Sequence, residues 1–252
     1  MTTQQHSDSS NPQRVALVTG GSGGIGQAVA EKLARDGMAV AVHYASNKDK
    51  AEQVAQAIIA AGGQAMTVGG DVADETIMKQ AFDAVEERFG GLDVLVNTAG
   101  LMILAPLIDL DLADLDKMYR TNVRGTFVVN QLAAKRVRSG GAIINFSTSV
   151  TRLALPTYSA YCASKGAVEA MTLILDKELA GRDITVNTVA PGPTNTALFT
   201  GGKDQATIDR MASMNPMKRI GEPSDIAEVT AFLAGPGRWI NGQTIFANGG
   251  VI

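Results

Sequence analysis

Short apolar runs alternate with helical patterns along nearly the whole chain, and few folds tolerate that alternation. Residues 14–19, 39–43, 65–68, 94–97, 142–146, 184–189 and 243–246 are almost continuously apolar. Strands buried on both faces read this way, whereas strands with one wet face alternate with period two. Between them lie helical patterns. Residues 24–36 carry Ile25, Val29 and Leu33 at four-residue spacing, and residues 49–61 stop at Gly62-Gly63. The alternation predicts an α/β fold: a single Rossmann-type, doubly wound parallel sheet with helices on both faces and right-handed crossovers. No linker, repeat or low-complexity block divides residues 14–252, so one domain is expected there. Residues 1–13 are polar and read as a disordered tail.

Composition narrows the function classes. The net charge is −3 and the basic residues are scattered, so a nucleic-acid partner is not expected. No apolar run is long enough to span a bilayer, and the N-terminal residues lack a signal-peptide pattern. Cys162 is the single cysteine, which fits a reducing compartment and a cytoplasmic protein. No metal site is expected.

The first strand runs into Thr19-Gly20-Gly21-Ser22-Gly23-Gly24-Ile25-Gly26, and a helix follows. Gly20, Gly24 and Gly26, with Ser22 and Ile25 among them, suit a turn that approaches a pyrophosphate, with the helix N–H groups facing the phosphates. A glycine-rich turn without a ligand is the plainer alternative, and placement between strand and helix favours the dinucleotide. At the end of the second strand stands His43-Tyr44-Ala45-Ser46-Asn47-Lys48. An acidic residue there would bind the ribose hydroxyls of NAD. Its absence, with Ser46, Asn47 and Lys48 as donors, favours NADP(H), and NAD(H) stays possible. The same polar residues can simply cap the next helix.

Tyr161 and Lys165 are four residues apart in Tyr161-Cys162-Ala163-Ser164-Lys165 and share a helical face. An ammonium beside a phenol lowers its pKa from about 10 and readies it to move protons. Such a pair is commonly an inconsequential surface contact, but this one opens an apolar-faced helix containing Val168, Met171 and Leu175. Upstream lies the hydroxyl cluster Ser147-Thr148-Ser149. Counting three onward from Asn145, or thirteen back from Tyr161, reaches Thr148. In a strand, Ser147 and Ser149 would point together and away from Thr148.

In order, Thr19-Gly20-x-x-x-Gly24-x-Gly26, Asp71-Val72, Asn97-Thr98-Ala99-Gly100, Asn122, the hydroxyl cluster, Tyr161-x-x-x-Lys165 and Pro191-Gly192 resemble the short-chain dehydrogenases/reductases. Within them, the chain resembles the branch of β-ketoacyl carrier-protein reductases and polyhydroxynaphthalene-type reductases. The resemblance covers nearly everything after residue 13. It implies that Asp71 and Val72 touch the adenine, that Asn97, Ala99 and Gly100 line the cofactor, and that Pro191, Gly192, Thr194 and Thr196 surround the nicotinamide. His43, Tyr44 and Ser46 fall at the adenosine end. It also implies hydride transfer to a carbonyl, with Tyr161 as proton donor, Thr148 holding the oxygen, and Lys165 tuning Tyr161 and binding the ribose. Asn122, on the helix expected between residues 112 and 138 and on the face of Leu115 and Tyr119, would support a proton path to the lysine. Read alone, Asn122 is a satisfied structural amide. The chain departs from the family at Thr98, where asparagine is usual, at Thr148, where serine is usual, and at Asn248, where aspartate is frequent.

The small-molecule carbonyl substrate is expected to meet Leu101, Met102, Ile103, Leu153, Leu155 and residues 197–219, which include Leu198, Phe199, Met211, Met214 and Met217. An apolar compound suits them, with acyl thioesters, quinone-like aromatics, sugars and steroids all open. The resemblance also implies a homotetramer. An NAD(H)-dependent alcohol dehydrogenase and a nucleotide-sensing regulator are the competing readings, the second disfavoured because Tyr161 and Lys165 are both present.

Overall fold

A computed structural model describes residues 13–252. The tail expected over residues 1–13 lies outside them except for Gln13, whose side-chain amide donates to the Gly37 carbonyl at 3.0 Å. The chain runs β1 (Val15–Thr19), α1 (Gly24–Arg35), β2 (Ala39–Tyr44), α2 (Lys48–Ala60), β3 (Gln64–Gly69), α3 (Glu75–Phe89) and β4 (Leu92–Asn97). It continues through α4 (Leu112–Tyr119), α5 (Gly125–Arg136), β5 (Val137–Phe146), α6 (Val150–Leu153), α7 (Ser159–Glu178) and β6 (Thr185–Pro191). Then come α8 (Ala197–Thr200), α9 (Gln205–Met214), α10 (Pro223–Ala234) and β7 (Thr244–Ala247). The strands form one seven-stranded sheet, ordered β3-β2-β1-β4-β5-β6-β7, and every pairing is parallel.

Side chains of β1 explain the unbroken apolar runs. Ala16 and Val18 enter the core beneath α1, α2 and α10, with Val29, Leu33, Val54 and Ile226. Val15 and Leu17 enter the opposite core beneath α3 and α5, with Phe82, Val85 and Val129. Each fully buried aliphatic side chain contributes about 1.5–3 kcal/mol, so the two cores reward apolar residues at every strand position.

Two elements differ from expectation. Strand β5 begins earlier than residue 142, because Arg138 pairs with Asp93 on β4 at 2.5 Å and holds a polar stretch in the sheet. The single helix expected between residues 112 and 138 is broken by a π-helical segment, Arg120–Arg124. There Met118 and Asn122 are fully buried while Tyr119 turns outward, so Asn122 does not share a face with Tyr119.

At their C-terminal ends the central strands carry a polar row in register: Thr19 beside Asn97, Asn97 beside Asn145, and Asn145 beside Thr188. Thr19 donates to Asn97 at 2.7 Å, and Asn97 donates to Thr126 on α5 at 3.0 Å. Asn145 exchanges hydrogen bonds with Asn130 on α5 and donates to Thr172 on α7. Buried polar groups must find partners, and these find them only at one height of α5 and α7 against the sheet. The row therefore sets where Asn122, Tyr161 and Lys165 come to lie.

Candidate active site

Strand order reverses between β1 and β4, the place where open parallel sheets bind ligands. A cleft of about 380 Å³ opens there, walled by the glycine turn, the residues after β4, β5 and β6, and helices α7, α8 and α9.

The turn is built for close approach. Gly20 has φ +67°, a conformation that favours glycine. A Cβ on Gly26 would lie 2.3 Å from the Gly20 carbonyl oxygen and 2.6 Å from Thr98 Oγ1. No described side chain caps the start of α1, and its first turn holds no acidic residue. Its free N–H groups and the positive end of the helix dipole therefore face the cleft, an arrangement suited to phosphates. Ser22 and Ile25 line the same wall, and Thr196 on the far side stands 3.4 Å from where a Gly24 Cβ would be.

At the other end the cleft meets Tyr161, Lys165 and Thr148. Lys165 is buried and donates to the Phe146 carbonyl at 2.8 Å, with its ammonium 5.9 Å from the Tyr161 ring centre. Burial lowers its pKa to about 8, so it stays protonated at neutral pH. Burial also pushes the Tyr161 phenol above its usual value, with a smaller contribution from Tyr158. Neither influence is the downward pull expected of Lys165. The phenol keeps its proton at neutral pH.

All three hydroxyl residues border the cleft, but their hydrogen bonds differ. The Ser147 and Ser149 N–H groups still donate to Val189 and Pro191, so pairing with β6 persists beyond Phe146 until the backbone turns helical at Ser149. Ser147 is buried and donates to Glu169 at 2.5 Å. Ser149 is buried, donates to Ala190 and accepts from Asn248. Thr148 faces the other way, partly exposed, and its Oγ1 accepts only a 3.3 Å contact from the Val150 N–H among the described residues. Its hydroxyl proton is left for the cleft.

Other residues singled out in the sequence take their places around this centre. Ala99, Gly100, Pro191, Gly192, Thr194 and Thr196 border the cleft. The Asn97 side chain is instead buried in the polar row, bonded to Thr19 and Thr126. The Asn122 amide is consumed by Leu101, whose N–H it accepts at 2.7 Å and to whose carbonyl it donates at 2.8 Å, and by Ser164 at 3.0 Å. It makes no direct hydrogen bond to Lys165.

His43, Tyr44, Ser46, Asp71 and Val72 lie outside the cleft walls. His43 is buried, held neutral with its pKa lowered to about 4, and it bridges the Gly20 N–H and the Gly70 carbonyl. Tyr44 packs against Gly69, and Val72 packs where a Gly125 side chain would otherwise sit. Ser46 is exposed, and Asn47 caps α2 by accepting from Lys50. Asp71 is held by Arg120 at 2.8 Å and by the Ala73 N–H. Leu101 and Ile103 pack into a small core around Met118, while Met214 and Met217 are exposed. Met102, Leu153, Leu155, Leu198, Phe199 and Met211 do line the cleft, joined by Tyr158. Its one sequence signal was its position three residues before Tyr161.

Comparison with known proteins follows this geometry. A family model described as Enoyl-(Acyl carrier protein) reductase matches residues 20–252. A short-chain type dehydrogenase/reductase from Picea abies is 42% identical over 253 residues, covering 95% of this chain and 92% of the relative. A short chain dehydrogenase from Burkholderia cenocepacia J2315, solved in complex with NADP, superposes with TM-score 0.89 at 39% identity, covering 95% of this chain and 98% of that one. The angucycline C-6 ketoreductase LanV with bound NADP gives TM-score 0.90 at 39% identity, with 96% of each chain covered.

Proposed function

Because the chain belongs to the short-chain dehydrogenase/reductase family, oxidoreductases acting on CH–OH groups with NAD(P), we propose that it is an NADP(H)-dependent ketone reductase of an apolar small molecule. The observation that carries this reading is the single cleft joining the uncapped start of α1 to Tyr161, Lys165 and Thr148. The glycine turn fits a dinucleotide because the start of α1 offers free N–H groups to phosphates, brought close to β1 by Gly26, where a side chain would strike Gly20 and Thr98. Gly20, Ser22, Gly24, Ile25 and Gly26 would hold the phosphates. Ala99, Gly100, Pro191, Gly192, Thr194 and Thr196 would hold the nicotinamide, and His43, Tyr44, Ser46, Asp71 and Val72 the adenosine end.

When bound, the nicotinamide supplies or accepts the hydride. The neutral Tyr161 phenol gives its proton to the developing alkoxide. Thr148 donates a hydrogen bond to the same oxygen and holds it in line. Lys165, anchored on Phe146, places a positive charge beside the phenolate that remains. Asn122 keeps the residues after β4 in place. Apolar residues on the far wall exclude water and suit an apolar body.

Preference for NADP(H) is supported by the absence of a carboxylate in residues 43–48 and by two similar proteins solved with NADP. Consumption of NADPH and NADH across a panel of ketones, diketones and quinones tests both levels. A kcat/KM at least about tenfold higher with NADPH is expected, matching ~1.4 kcal/mol of discrimination. Equal or better use of NADH ends the cofactor assignment, and no consumption of either ends the reductase reading.

We also place the protein in the cytoplasm, where the single thiol of Cys162 suits reducing conditions; no described helix is long and apolar enough to cross a membrane. A homotetramer is supported by exposed apolar side chains on two faces: Phe127, Leu173 and Ile174 on α5 and α7, and the fully exposed Trp239 before β7. Light scattering at micromolar concentration should return four times the chain mass; a monomer contradicts the assembly.

A further inference from the structure

We propose that the Tyr158 hydroxyl binds a second oxygen of the substrate and selects dicarbonyl, hydroxyketone or quinone-type compounds over simple carbonyls. This rests on the reductase reading above and deepens it.

Tyr158 immediately precedes α7, and its ring stands edge-on to that of Tyr161, with centroids 6.4 Å apart. It is 8% exposed and packs with Met118 and Leu155, yet it borders the cleft. No hydrogen bond joins its hydroxyl to any described residue, and burial raises its pKa, so the hydroxyl remains protonated. A ring needed only for packing does not call for a hydroxyl, and this one is not sealed in the core: its oxygen stays accessible beside the cleft. The rest of this wall is apolar: Met102, Leu153, Leu155, Leu198, Phe199 and Met211. In such pockets the few polar groups orient the ligand.

Backbone strain lies directly beside it. Ala154 and Thr157 have φ of 50° and 72°. A β-branched residue in this region is a genuine outlier, and such strain gathers at functional sites. The bend is held by the Ala105 N–H donating to the Thr157 carbonyl, while the Tyr158 carbonyl accepts from Cys162. These contacts fix the direction from which Tyr158 enters the cleft.

The reacting carbonyl oxygen does not need this group. A carbonyl oxygen has two lone pairs, and Tyr161 and Thr148 take both. A third donor on the same wall therefore requires another acceptor, an oxygen on a neighbouring part of the substrate. A site built to pair with such an oxygen discriminates strongly against analogues lacking it.

The test compares wild type with Tyr158→Phe on 1-phenyl-1,2-propanedione and on benzaldehyde, using whichever nicotinamide the wild type prefers. The variant is expected to lose roughly 10- to 100-fold in kcat/KM on the dione, mostly through KM, and less than about threefold on benzaldehyde, as for loss of uniform binding. Its Tm should match wild type, since no protein hydrogen bond is removed. Equal losses on both substrates, no loss on either, or wild-type turnover of benzaldehyde but not the dione overturns the proposal while leaving the reductase intact. Failure of the wild type to reduce either compound, or any of the wider carbonyl panel, overturns both.

Discussion

Replacing Tyr161 by phenylalanine is expected to lower kcat by about 10²- to 10⁴-fold, the usual contribution of a positioned proton donor. The fold should survive, because the ring stays packed against Met118 and Tyr158 and its hydroxyl makes no hydrogen bond to a described residue. Cofactor affinity, read by fluorescence titration, should change little. The paired variant Thr148→Ala should lose about 10²-fold, as for removal of one hydrogen-bond donor to a developing oxyanion, and Thr148→Ser should recover most of it. Steady-state rates at saturating cofactor decide the matter. A Tyr161→Phe enzyme within about threefold of wild type, far short of that range, would falsify the proton-donor role. Full activity of Thr148→Ala would move the second hydroxyl role elsewhere.

The second large effect is at Gly26. An added Cβ meets the Gly20 carbonyl oxygen at 2.3 Å, its carbon at 2.8 Å and Thr98 Oγ1 at 2.6 Å. Two of these atoms are backbone of the same turn and cannot swing away. Overpacking of this kind costs about 1–3 kcal/mol. In Gly26→Ala the start of α1 must shift, and with it the N–H groups that face the cleft. Loss of measurable cofactor binding and a lowered Tm are expected. Gly23→Ala is the control, since nothing lies within 4 Å of its Cβ; its Tm should stay near wild type. Differential scanning fluorimetry with and without NADPH reads both, because a ligand that binds only the folded state raises Tm. An unchanged cofactor-induced shift in Gly26→Ala would remove the turn from the binding site.

Strand–helix alternation was legible because the central strands are buried on both faces, so their apolar runs needed no register to be recognised. Element ends were less legible: Arg138 belongs to β5 only because Asp93 lies beside it. The π-helical segment at Arg120–Arg124 was invisible, since one extra residue in a helical turn leaves no mark in a short polar stretch. The glycine turn and the Tyr161–Lys165 spacing were readable as local patterns. The state of the phenol was not. Four-residue spacing suggested an ammonium lowering a pKa, whereas burial raises it, and burial belongs to the whole fold.

Asn97 and Asn145 show the same division. Each reads as a polar residue closing an apolar run, and nothing nearby in sequence says what it bonds. Their partners, Thr19, Thr126, Asn130 and Thr172, come from other strands and helices.

Sequence alone determined the layered architecture and marked the glycine turn and the Tyr161–Lys165 pair, because these depend on patterns within a few consecutive residues. Tertiary structure alone decided how Ser147, Thr148 and Ser149 differ in their hydrogen bonds, that Lys165 is anchored on Phe146, that Asn122 holds Leu101, and that the Tyr158 hydroxyl, beside Tyr161, bonds no described residue. Those outcomes depend on burial and on hydrogen bonds between segments brought together only when the sheet forms.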